Sequence, residues 1–191
     1  QNINVIHSAV KILKEANVDF ALLECTNLYP SPPEIISLGG ITELQEAFPE
    51  VLIGFSDHSI GPEMALAAVA LGACIIERHF TDSRYRLGPD ISCSMDPPEL
   101  KYLIERSKEI HIARNNRKSR SVPEEQVYKF ARASVVADRN LLAGTILTEK
   151  DIWVRRPGSG PIPAFDFDKL IGRILKTDKK LNEFINWSDI E

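Results

Sequence analysis

Apolar residues at Ile3, Ile6, Val10 and Leu13 recur at helical spacing and predict an amphipathic helix at the start of the chain. The pattern then changes period. "DFALLEC" (19–25) is a short, almost continuous apolar run bounded by the polar Thr26 and Asn27, the mark of a buried strand. A helical stretch follows in "PPEIISLGGITELQEAF" (32–48), with a break expected at Gly39-Gly40. "VLIGF" (51–55) predicts the second strand. "GPEMALAAVALG" (61–72) predicts a helix rich in small residues, opened by Pro62 and closed by Gly72. "ACIIERHF" (73–80) predicts the third strand. These strands are apolar on both faces, as in a parallel sheet covered by helices.

The clearest helix lies in "SMDPPELKYLIERSKEIHIA" (94–113). Asp96 can cap it, Pro97 suits its first turn and Glu99 completes a capping box; Leu100, Leu103, Ile104 and Ile110 form its apolar stripe. "RNNRKSRSVPEEQ" (114–126) is polar, basic and without period, and reads as a solvated linker. From Ala131 onward the apolar runs become very short and turn residues frequent. That texture predicts a small second domain of short strands and single helical turns, one of them capped by Thr148 and Asp151. The expected division is 1–114, a linker at 115–130, and 131–191. Three βα units fall short of a closed (β/α)8 barrel, which takes about 250 residues. The fold expected is therefore α/β, the last three units of such a barrel, followed by a small mostly-β domain.

Composition narrows the functional classes. The 191 residues carry a net charge of −4, which offers no electrostatic footprint for nucleic acid. No apolar run approaches the roughly 20 residues of a membrane span. Cys25, Cys74 and Cys93 are odd in number and match no zinc or redox spacing, so free thiols in a reducing, cytoplasmic setting are expected.

The chemistry gathers at strand ends. The first strand ends in Thr26, Asn27 and Tyr29, the second in Ser56, Asp57 and His58, the third in Glu77, Arg78 and His79. Neighbouring strands lie about 5 Å apart, so histidines from adjacent strand ends can reach one ion. Imidazole with a carboxylate beside it suits a hard-to-borderline divalent metal. His7 and His111 fall on helices and read as surface or packing residues. Asp90 projects from a turn set by Gly88-Pro89, and "RRPGSG" (155–160) is a glycine-rich loop whose arginine could hold an anion or a polyol. From the residues alone the reading is a metal-dependent α/β enzyme acting on an anionic or polyol substrate.

Six stretches, "ALLECTNLYPSPPE", "IGFSDHSIG", "ALGACIIERHFTD", "GPDISCSMDP", "ASVVADRNLLAGTIL" and "WVRRPGSG", occur in the order found in the N-acetylneuraminate (sialic acid) synthase family, which the chain resembles throughout. The resemblance implies a TIM barrel followed by an antifreeze-like (SAF) domain. It implies a carbon–carbon bond-forming transferase that condenses phosphoenolpyruvate with N-acetylmannosamine and releases phosphate. It implies a divalent metal, manganese first with magnesium or cobalt as alternatives, on His58 and His79. By the same resemblance Glu77 sits near the metal or in proton transfer. Asn27 and Ser56 bind the phosphoenolpyruvate end, Tyr29 lines the pocket, and Asp90 bonds the sugar hydroxyls. Arg156, with Phe130 walling the pocket, is offered by one subunit of a homodimer to the other. The family's early-strand glutamate and lysines are not in this chain, and Ile91 stands where many relatives have histidine. A legionaminic or other nonulosonic acid synthase, a non-catalytic fragment and an ice-binding module are the alternative readings.

Overall fold

The computed structural model describes residues 1–119 and 121–191. They form two compact units, Gln1–Arg117 and Lys118–Glu191. The first alternates helix and strand: α1 (Ile3–Glu15), β1 (Ala21–Cys25), α2 (Gly39–Ala47), β2 (Leu52–Asp57), α3 (Glu63–Leu71), β3 (Ile76–Arg78) and α4 (Pro97–Asn115). The strands run parallel in the order β1-β2-β3. The described residues thus supply the three strands expected, as an open sheet with β1 and β3 at its edges.

Side chains alternate across a strand, and here the alternation separates core from chemistry. Ile53 and Phe55 of β2 are buried with Val10, Ile41, Leu44 and Phe48 from the helices and the turn after α2; Leu22 and Ile76 pack against the same cluster. A smaller cluster of Ala65, Met95 and Leu103 joins α3 to α4. The even-numbered β1 positions and odd-numbered β2 positions therefore face the helices. Cys25, Ser56 and Glu77, which share one row of the register, face the other way.

The helix ends follow their chemistry. Asp96 accepts from the Glu99 amide at 3.0 Å while Glu99 accepts from the Asp96 amide at 3.2 Å, the reciprocal box expected. Gly72 closes α3 at φ 106°, a left-handed value that favours glycine. The break expected at Gly39-Gly40 lies earlier: a 3-10 turn, Pro33–Ile35, precedes it, and α2 begins at Gly39. Gly40 lies close under the Glu24 side chain: a Cβ there would stand 2.8 Å from Oε2, and the carboxylate would have to move aside. The stripe on α4 is narrower than expected. Leu103 is buried and Leu100 packs beside it, whereas Ile104 is exposed because neither cluster extends to it.

In the second unit, α5 (Glu124–Ala131) precedes β4 (Ser134–Ala137) and β5 (Ile152–Arg155), which pair antiparallel. The helix α5 overlaps the stretch 115–130 expected to be a linker. It buries no residue, although Val127, Phe130 and Ala131 fall at helical spacing. Glu124 and Glu125 in its first turn and Lys129 in its last complement the helix dipole. Isolated bridges such as Val136 to Phe184, Leu141 to Lys179 and Leu175 to Ile190 complete a coiled, mostly-β unit. Ten apolar residues, among them Val135, Leu147, Ile152, Ile162 and Leu175, form one buried cluster. Asp151 caps the Thr148 turn as expected, accepting from the amide at 2.8 Å and from the hydroxyl at 2.6 Å. Among the described residues no helix is long and apolar enough to cross a membrane.

Candidate active site

The parallel register pairs Ser56 with Glu77 and Asp57 with Arg78. One residue further along, His58 and His79 come opposite each other. Their ring centroids stand 5.2 Å apart, edge to face. The two imidazoles thus share one side of the sheet, as the strand-end argument requires. Tyr29, on the loop after β1, lies over both: its ring is 4.1 Å from His58 and 5.4 Å from His79. The Tyr29-Pro30 peptide bond is cis.

His58 is buried and held from behind. Its Nδ1 is 2.9 Å from the carbonyl oxygen of Thr26, so Nδ1 carries the proton and Nε2 keeps its lone pair. Its backbone carbonyl accepts from the Ser31 amide at 2.9 Å. The Cys25 thiol stands 4.0 Å from the same Nδ1. His79 is partly exposed, and its Nδ1 lies 3.8 Å from Oδ2 of Asp90. Asp90 occupies a left-handed position, φ 63°, and its carbonyl accepts from the Ser94 hydroxyl at 2.8 Å, which ties the loop down. One row below, the Ser56 hydroxyl donates to Oε1 of Glu77 at 2.7 Å. The Tyr29 phenol is pushed above its ordinary range by loss of solvent, then by the charges of Cys25, Asp90, Cys93 and Glu77.

The site residues predicted in the first unit sort as follows. His58, His79, Tyr29 and Asp90 come together, and Ser56 and Glu77 form a bonded pair one row away. Asn27 is exposed on the loop after β1. Phe130 and Arg156 belong to the second unit, and both are exposed there. The loop carrying Arg156 is packed tightly. Gly160 donates to the Ser134 hydroxyl at 3.0 Å, and a Cβ at that glycine would meet Ser134 and Phe184 at 2.6 Å. His7 packs on Phe48 and His111 contacts Asn115, consistent with surface and packing roles.

The sequence reading placed a carboxylate beside each histidine. For His79 it is Asp90, from a distant loop. For His58 the adjacent Asp57 is not available: it points to the opposite face, fully buried against Arg78. The strand period separates the two neighbours. This Asp57–Arg78 pair is what the reading missed, and the alternation of "SDH" and "ERH" was the signal for it.

A divalent ion fits the donors present. Two imidazoles meet on one face, one with its tautomer set by a backbone carbonyl and the other with a carboxylate behind it. Among the described residues, no three His, Cys, Asp or Glu side chains converge to enclose an ion, so the pair would supply two ligands and leave positions open.

A helix-backed parallel sheet with polar groups at its carboxyl edge, followed by a small β unit, defines an α/β protein of the kind that builds its sites on strand ends. The comparison with known families makes this specific. The NeuB family matches residues 1–119 and the SAF domain residues 132–191; the chain belongs to the NeuB family and carries a SAF domain. It is 35% identical over 190 residues to the N,N'-diacetyllegionaminic acid synthase of Campylobacter jejuni, covering 96% of this chain and 56% of that protein. It is 34% identical over 175 residues to human N-acetylneuraminate-9-phosphate synthase, covering 91% and 48%. The crystal structure of the spore coat polysaccharide biosynthesis protein SpsE of Bacillus subtilis matches at 30% identity and a TM-score of 0.56, covering all of this chain and 58% of that one. The chain thus spans about half the length of the curated relatives it matches.

Proposed function

We propose that the protein to which these residues belong condenses phosphoenolpyruvate with the open-chain aldehyde of an N-acyl sugar, N-acetylmannosamine first, to give a nonulosonic acid and inorganic phosphate. The observation that carries this is the convergence of His58, His79, Tyr29 and Asp90 at the ends of adjacent strands, in a chain of the NeuB family.

In the reaction, the methylene carbon of phosphoenolpyruvate forms a bond to the aldehyde carbon, and the aldehyde oxygen takes up a proton. Water adds to the resulting oxocarbenium-like carbon and gives up a proton. The tetrahedral adduct then expels phosphate and leaves a ketone. Manganese, or magnesium or cobalt, held by Nε2 of His58 and a ring nitrogen of His79 would supply Lewis-acid polarisation of the aldehyde. Tyr29 covers the face on which the imidazoles meet and limits water there. Asp90, anchored by its own backbone, presents its carboxylate to sugar hydroxyls. Glu77 takes the proton, its Oε1 oriented by the Ser56 hydroxyl. Asn27 and Ser56 lie toward the phosphoenolpyruvate end. Pairing of two copies belongs to the same proposal and is read by sedimentation.

Phosphate release from phosphoenolpyruvate in the presence of N-acetylmannosamine tests this, with the native full-length protein. His58→Ala and His79→Ala are each expected to lower turnover at least about 100-fold. Unchanged turnover in either variant, or no release with any N-acyl sugar, would sink the reading. The Campylobacter jejuni relative favours a second sugar, and faster turnover of the 6-deoxy-4-acetamido analogue would move the assignment to a legionaminic acid synthase.

A further inference from the structure

The most deeply buried charges in the first unit lie behind the site. The Asp57 side chain is fully buried and that of Arg78 nearly so. They sit directly opposite each other in the β2–β3 register, on the helix-facing side. Nε of Arg78 is 3.4 Å from Oδ2 of Asp57, and neither atom has another partner. The rest of both groups is spent on the turn that follows β2. Oδ1 of Asp57 accepts from the Ser59 amide at 2.8 Å. The guanidinium donates to the Ser59 carbonyl at 2.7 Å and, through its other arm, to the Gly61 carbonyl. Four anchors thus hold residues 57–61, and His58 lies among them. The next residue after Arg78 is His79.

We propose that Asp57 and Arg78 are a positioning pair: from the back of the sheet they hold the turn and the register that bring His58 and His79 face to face on its front. The physical reason is the period of two. Locking one pair on the back face places the next pair on the front, and a slip of one residue would undo both. A carbonyl-anchored turn also fixes the His58 ring against the Thr26 oxygen, which selects its Nδ1–H tautomer. Lysine cannot replace arginine here, because only the planar fork reaches two carbonyls and a carboxylate together. The inference rests on His58 and His79 working as a pair, not on which ion or sugar they serve.

The test uses the 191-residue chain labelled with nitrogen-15. In the parent chain, imidazole spectra are expected to show His58 as a single Nδ1–H tautomer, with the Ser59 amide protected from hydrogen exchange. Arg78→Lys keeps the charge, and far-UV circular dichroism establishes that it is folded. It is expected to show mixed tautomers at His58 and, by electron paramagnetic resonance of free manganese, affinity lower by about 10–100-fold. A folded Arg78→Lys chain with one tautomer and parent affinity would overturn the proposal. Should that variant not fold, the parent chain decides: a Ser59 amide exchanging as fast as an open loop overturns it, and a protected one supports it. A parent chain that binds no manganese, together with a variant that loses the tautomer, would leave the positioning pair standing and remove the metal from the function proposed above.

Discussion

The two units gather their buried apolar residues differently. The second unit, though shorter, closes ten apolar residues into one cluster, most of them wholly inaccessible. The first divides its buried residues between a cluster of eight and a cluster of three, all on the helix side of the sheet. Large apolar residues elsewhere in it stay open: Leu52 is 61% exposed and Ile12 66%. Both units leave large apolar side chains open, Leu142 at 71% and Phe165 at 74% in the second; the difference is that the second gathers its buried apolar residues into one cluster, whereas the open parallel sheet of the first covers one face and leaves two edges. Each unit adds a buried ion pair to its packing, Asp57 with Arg78 in the first and Asp189 with Lys179 in the second.

This contrast can be attacked where it is strongest. Removing the Asp57 carboxylate (Asp57→Ala) strands a buried guanidinium and is expected to destabilise the first unit by about 3–5 kcal/mol, measured as loss of its calorimetric transition. In the second unit, Leu147→Ala is expected to cost about 2–5 kcal/mol by cavity formation, against within about 0.5 kcal/mol for Ile12→Ala on the exposed face of α1. Equal losses from these last two in urea titrations would show that the single cluster of the second unit carries no more stability than an exposed helix face.

Acid offers a subtler probe, through a buried ion pair of the second unit. Burial alone would raise the carboxyl of Asp189. Bonds from Lys179 at 2.7 Å and from the Asn186 amide at 2.7 Å more than offset this and hold it at about 2, against 3.8. A depressed carboxyl stabilises the fold above its unfolded value and ceases to as pH falls through the folded one. About 2 kcal/mol from this group should therefore vanish between pH 4 and 2, and Asp189→Asn should flatten the acid slope of the second unit, leaving the part that comes from the other depressed carboxyls, Asp151 and Glu183. A smaller loss is expected at the cap of α4, where Asp96→Ala should lower the first unit's stability by about 1 kcal/mol, read from its urea midpoint.

Most of this framework can be read from residues in order. The strands of the first unit show because their apolar runs are short and bounded, and α4 shows because its cap is written in Asp96, Pro97 and Glu99. The helix α5 does not show because it is short: Val127, Phe130 and Ala131 stand at helical spacing but span little more than one turn, directly after a polar run. Gly39-Gly40 misleads, because glycines that open a helix look the same in sequence as glycines that break one. At the site, the pairing of His58 with His79 follows from strand ends. That Asp90 and not Asp57 would lie within 4 Å of an imidazole ring depends on a loop crossing after β3, which no local pattern states. The direction of Asp57 was legible in principle from strand alternation, and adjacency in sequence obscured it.

The front-and-back arrangement of β2 and β3 also constrains how such a chain can vary over time. A single codon gained or lost inside either strand would turn Asp57 or Arg78 outward and a histidine inward, exchanging chemistry for core in one step. Length changes in these strands should therefore survive only in twos, while the loops that follow them, free of that parity, remain open to insertions of any size.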